Sequence, residues 1–74
     1  MLFDTYPTRR QVLVYLKSGT TLEGILWQKK GAYLVLKEAR AKLKGTGIVS
    51  VGEAMVYREQ VDFIQVLGVG GAEV

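Results

Sequence analysis

The chain has neither cysteine nor histidine among its 74 residues. Without cysteine no disulfide can staple it and no thiolate metal site can form. Without histidine it lacks the usual general base, the commonest metal ligand and the side chain that changes charge near neutral pH. Long apolar runs are missing too. No stretch reaches the roughly 18 apolar residues of a membrane span, so no transmembrane helix and no membrane partner are expected. The N-terminus shows no basic segment followed by an apolar one, so no secretory signal is expected and the default compartment is intracellular, the cytoplasm. These absences exclude a disulfide scaffold and most hydrolytic enzymes.

What is present is a small apolar chain. Hydrophobic residues make up 49% and charged residues 23%, far from a disordered composition. The length allows one domain, and a chain of this size buries only about 60–65% of the surface its unfolded form exposes. Chains this small and without staples often gain the remainder of their stability by self-association. A binding or assembly module is the expectation.

The net charge of +3 hides an asymmetry. From Arg9 to Lys44 the chain carries Arg9, Arg10, Lys17, Lys29, Lys30, Lys37, Arg40, Lys42 and Lys44 against Glu23 and Glu38, a balance of +7. From Gly45 onward Arg58 faces Glu53, Glu59, Asp62 and Glu73, a balance of −3. A basic segment on a small fold attracts phosphate, and it also serves simply as a solvated surface. The segregated signs suit head-to-tail contacts between copies.

Hydrophobicity alternates with a period of two almost throughout, which predicts strands. Gln11 to Lys17 places Val12, Val14 and Leu16 on one face and Leu13 and Tyr15 on the other. Ser18-Gly19 is a turn signal. Thr20 to Trp27 is a second strand, with Leu22, Gly24 and Leu26 on one face. A glycine there marks a bend or a close backbone approach. Gln28-Lys29-Lys30-Gly31 is expected to turn, and Ala32 to Leu36 to form a third strand. Ala39, Ala41 and Leu43 then alternate with Arg40, Lys42 and Lys44. This composition also favours helix, but the period of two favours continued strand. After the Gly45-Thr46-Gly47 turn, Ile48 to Ser50 begins a return strand, Gly52 bulges it and Ala54 to Tyr57 ends it. Arg58-Glu59-Gln60 is a tight connection to a last strand, Val61 to Leu67. Residues 1–10 form an N-terminal arm in which Pro7 disfavours helix at Tyr6, and residues 68–74 a flexible tail. Five strands bent at glycines predict an all-β fold, a small, strongly bent antiparallel barrel of SH3-like type, which must close or pair to hide its edges.

No catalytic constellation is present, and no enzyme is expected. Ser18 and Ser50 have no histidine to activate them. Glu53, Glu59 and Asp62 cluster near a turn, where acids are usually surface charges. No calcium-loop spacing occurs, and the glycines after the last strand precede no helix that would complete a phosphate loop. No cofactor and no metal are expected. The informative residues are Lys29, Lys30 and Tyr33 around one turn and Arg58 in another. In a bent five-stranded barrel these turns come close together. An aromatic face beside guanidinium and ammonium groups suits a single-stranded base and its phosphate. Tyr33 equally suits core packing or a subunit contact, and Trp27 suits packing better than stacking.

These segments resemble a known family. Val12-Leu13-Val14-Tyr15-Leu16-Lys17-Ser18-Gly19, followed after four residues by Gly24-Ile25-Leu26, resembles the first motif of Sm-like proteins. Met55-Val56-Tyr57-Arg58-Glu59-Gln60-Val61-Asp62-Phe63-Ile64 resembles the second, in a form similar to that of bacterial Hfq. The resemblance spans residues 11–67. It implies a bent five-stranded barrel whose fourth strand pairs with the fifth strand of the next copy, closing a homo-oligomeric ring of about six or seven subunits. The junction residues it implies are Ala54, Met55, Val56 and Tyr57 on one side and Val61, Phe63, Ile64 and Val66 on the other. It also implies RNA binding.

The pocket departs from the family pattern. Lys30 stands where an Asp is usual. The position of the base-holding aromatic matches Ala32, with Tyr33 a shifted substitute. The basic-His pair of Hfq reads Arg58-Glu59, so only the charge of Arg58 carries over. The connection from Lys37 to Ala54 is longer than in Hfq, and Arg40, Lys42 and Lys44 on it offer a second basic surface. Three functions follow as expectations. One is a ring binding RNA or single-stranded nucleic acid non-catalytically. Another is a structural or assembly ring without nucleic acid, such as a viral or accessory component. The third is a monomeric SH3-like barrel that binds a peptide.

Overall fold

The computed structural model describes residues 8–67. The expected tail over 68–74 and residues 1–7 of the expected N-terminal arm lie outside the described residues. The β-branched and aromatic run near the start forms β1, Arg10–Leu16. It is followed by β2, Thr21–Lys30, β3, Tyr33–Leu43, and β4, Gly47–Tyr57. One turn of 3₁₀ helix, Arg58–Gln60, leads to β5, Val61–Val66. The five strands form one antiparallel sheet in the order β4-β3-β2-β1-β5.

One side of the bent sheet carries the core. Val12 and Val14 from β1, Leu22 and Leu26 from β2, Leu34, Leu36, Ala39 and Ala41 from β3 and Val56 from β4 form one buried cluster. Leu26, Leu34 and Leu36 are fully enclosed, and each such side chain contributes about 1.5–3 kcal/mol. Leu16, Ala54, Val61, Ile64 and Val66 pack at its margin.

Two glycines shape the sheet. A Cβ at Gly24 would meet the Lys37 carbonyl oxygen at 3.0 Å and the Ala39 Cα at 3.1 Å, so β2 and β3 cross there more closely than any other residue allows. Gly52 has φ +85° and faces Ala39 where the β3–β4 register slips. Glu38 bulges the facing strand at φ +52°. That extra residue changes the parity of β3, so Leu34 and Leu36 face the core before it and Ala39 and Ala41 after it.

Some boundaries differ from the expectation. Gln28, Lys29 and Lys30 do not turn; they extend β2, opposite Val35, Leu34 and Tyr33. The turn is reduced to Gly31-Ala32, with Gly31 at φ +59°. Residues 39–43 are strand, and β4 runs unbroken through its bulge.

Among the described residues the sheet ends at β4 and β5, which do not pair with each other. The barrel is therefore open. Ile48, Val49, Val51, Met55 and Tyr57 on β4 and Phe63 on β5 are exposed large hydrophobics. A single copy leaves both edges and these side chains in water, the situation that sheet proteins ordinarily avoid.

Candidate nucleic-acid interface

The β2–β3 turn and the 3₁₀ turn are joined directly. The Arg58 amide donates to the Ala32 carbonyl at 2.8 Å, and the Arg58 Nη1 donates to the Gly31 carbonyl at 3.0 Å. Gly31 and Arg58, twenty-seven positions apart, thus form one surface. A depression on it is lined by Ala32, Tyr57, Arg58 and Glu59.

The aromatic wall of this depression is Tyr57. Tyr33 stands beside it, one step back. The two residues are cross-strand partners, their ring centroids lie 4.8 Å apart at 35°, and the Tyr33 hydroxyl donates to that of Tyr57 at 3.4 Å. This hydrogen bond, then the charge of Tyr57, then desolvation raise the pKa of Tyr33 above its ordinary 10.0. The sequence resemblance implies a place for Tyr57 only in the subunit junction. Its double position, at the end of β4 and at the lip of the depression, follows from the Tyr33–Tyr57 register, which only the hairpin pairing reveals.

The basic residues divide. Lys29 is paired with Leu34 and Lys30 with Tyr33, so alternation sets the two lysines on opposite faces. Lys30 shares the face of the tyrosines and lines a second depression with Trp27, Gln28, Val35, Lys37, Glu53 and Met55. Trp27 is occupied: the Arg9 guanidinium carbon lies 3.9 Å and the Lys37 Nζ 4.5 Å from its ring centre, and Arg9 Nε donates to the Trp27 carbonyl at 3.3 Å. Arg9, at φ +65°, was not singled out in the sequence. Arg40 and Lys42 lie toward the far end of β3, with Lys44 in the turn beyond. Lys42 is nine residues from Tyr33, roughly 30 Å of strand. Arg40 is paired with Glu23 at 3.2 Å. The expected nucleic-acid residues therefore do not form one surface: Lys30, Tyr33 and Arg58 lie toward one end of β3 and Arg40, Lys42 and Lys44 toward the other, with Lys29 on the face opposite Lys30.

A bent, open five-stranded antiparallel barrel with a depression between its β2–β3 and β4–β5 turns defines the class, a small SH3-like barrel. No family model matches the chain, and no curated protein matches it. Solved structures do. A heptameric archaeal Sm protein is 30% identical, with a TM-score of 0.71 over 89% of this chain and 94% of that one. SmAP1 of P. aerophilum, also a heptamer, is 30% identical, with a TM-score of 0.72 over 89% and 86%. The Sm protein of Pyrococcus abyssii, in complex with a uridine heptamer, is 25% identical, with a TM-score of 0.70 over 80% and 84%. The chain belongs to the Sm family. These three are Sm proteins, and the Hfq-type likeness expected of residues 55–64 finds no support among them.

Proposed function

We propose that copies of this chain close into a ring, most simply of seven, and that the ring binds single-stranded RNA without catalysis. The observation that carries the ring is the open sheet: β4 and β5 are its two unpaired edges, and both expose large apolar side chains. Pairing Ala54, Met55, Val56 and Tyr57 of one copy with Val61, Phe63, Ile64 and Val66 of the next satisfies both edges at once. The heptameric relatives support the number.

RNA binding is supported by the depression beside Arg58 and by the uridine complex of the Pyrococcus relative. Tyr57 supplies a ring face, Arg58 and Lys30 supply positive charge, and Tyr33 holds Tyr57 in place. Lys29, on the opposite face of β2, adds to the field rather than to the pocket. Arg40, Lys42 and Lys44 form a separate basic surface. The proposal includes an intracellular, cytoplasmic location.

Ala32 offers no ring, and Glu59 brings a negative charge to the same wall. These two residues favour a second reading, an assembly ring that does not use RNA. Light scattering at micromolar concentration, followed by titration with labelled oligouridine, separates the possibilities. A ring that binds at low salt supports the proposal. A monomer overturns the ring, and a ring indifferent to RNA leaves the assembly reading.

A further inference from the structure

The β3–β4 ladder slips at Gly52, which divides β4 into two runs, 47–51 and 53–57. The junction proposed above uses the second. A six-residue β5 cannot cover an eleven-residue β4. Among the described residues, the first run is therefore left with an outward row of backbone N–H and C=O groups that no strand covers on the side away from β3.

The side chains of this hairpin are unusual for a solvent edge. Ile48 is 63% exposed, Val49 47%, Val51 44% and Leu43 38%. Val49 faces Ala41 and Ile48 faces Lys42 across the ladder. Val49 and Val51 thus continue the apolar face begun by the buried Ala39 and Ala41, while Arg40 and Lys42 occupy the other. Between Ala39 and Gly52 the chain carries Arg40, Lys42 and Lys44 and no acid. Lys42 and Lys44 line a depression with Gly19, Thr21, Leu43 and Gly45.

We propose that the 47–51 edge of β4 receives an extended segment of another protein, acidic and apolar at alternating positions, as an added strand. A strand satisfies a row of backbone donors and acceptors, which phosphate groups of RNA or lipid cannot match in both senses. The apolar face beside the row calls for apolar side chains on alternate residues of the incoming segment. Arg40 is already paired with Glu23, and the remaining cations of the hairpin, Lys42 and Lys44, call for negative charge on the other residues of the segment. The inference rests on the ring reading in one respect only, namely which half of β4 remains uncovered.

The full chain is tested after its mass in solution is known. The probe is a labelled peptide of alternating glutamate and valine. It is compared with the same peptide carrying backbone N-methyl groups on alternate residues, and with a lysine–valine peptide. The glutamate–valine peptide is expected to bind, N-methylation and exchange to lysine to weaken it at least about tenfold, and Lys42→Glu/Lys44→Glu to weaken it about tenfold at unchanged mass and thermal midpoint. Equal binding of the N-methylated peptide would overturn the proposal, as would displacement by oligouridine or by phosphatidylserine vesicles. A monomeric mass overturns the ring alone, whereas a ring that ignores the peptide overturns the docking edge alone.

Discussion

The hydroxyls of Tyr33 and Tyr57 are hydrogen-bonded at 3.4 Å across the β3–β4 ladder, Tyr33 donating. Folding thereby favours the protonated Tyr33, whose pKa lies above 10.0. As pH rises, the unfolded chain loses this proton first. The stabilisation is complete below the unfolded value of about 10 and disappears as pH passes through the folded one. The thermal midpoint should therefore fall in alkaline solution, and fall less steeply in Tyr33→Phe. Melting curves on both sides of pH 10 check this; parallel slopes would remove the linkage.

Gly24 admits no side chain. Its virtual Cβ lies 3.0 Å from a β3 backbone oxygen, and backbone cannot move aside as a flexible side chain does. Gly24→Ala should cost about 1–3 kcal/mol by forced displacement of the strands. Denaturant midpoints measure the loss, and a neutral result would mean that the crossing can widen freely.

The edges predict an assembly defect. Met55 is 57% and Phe63 55% exposed, so changing them disturbs one copy little beyond the Phe63–Tyr15 stack at 4.3 Å. Met55→Asp/Phe63→Asp places like charges along the two strands that would meet, unfavourable by up to about 1 kcal/mol at each directly opposed pair. A folded monomer is expected by light scattering and circular dichroism. A ring of unchanged mass would place the interface elsewhere.

Lys30 shares a face with Tyr33, whereas Lys42 lies at the other end of β3. If RNA follows the depression beside Arg58, Lys30→Glu should weaken oligouridine binding and flatten the slope of log K against log salt by about 0.7 or more. Lys42→Glu should leave the slope nearly unchanged. The reverse order would move the RNA to the hairpin.

Much of this fold is legible in the residues, and the remainder is hidden for physical reasons. Alternating Val12, Val14, Leu22, Leu26, Leu34 and Leu36 announces strands with one buried face, and Gly24 and Gly52 announce the crossing and the bulge. Gln28-Lys29-Lys30 resembles a turn because its polarity reflects exposure, while its backbone is paired to β3 all the same. Glu38 gives no warning of its bulge, since neither its type nor its neighbours require φ +52°; only the change of buried parity from Leu36 to Ala39 betrays it. At the site, Arg58 beside the β2–β3 turn was readable from strand order. The place of Tyr57 depends on a pairing register, and the hold of Arg9 on Trp27 joins residues eighteen positions apart. Local patterns contain neither relationship.

The two sheet edges are unlike: one is long, bulged and flanked by lysines, the other short. In a ring joined through them, every subunit has a β4 side and a β5 side, so an open arc is polar, with two unlike ends that must meet to close it. A subunit with a sound β5 and a spoiled β4 run at 53–57 could join an arc but would block extension at that end and closure of the ring. Mixed into normal protein as a minor fraction, it would act as a chain terminator, and the loss of closed rings would exceed its share of the mixture.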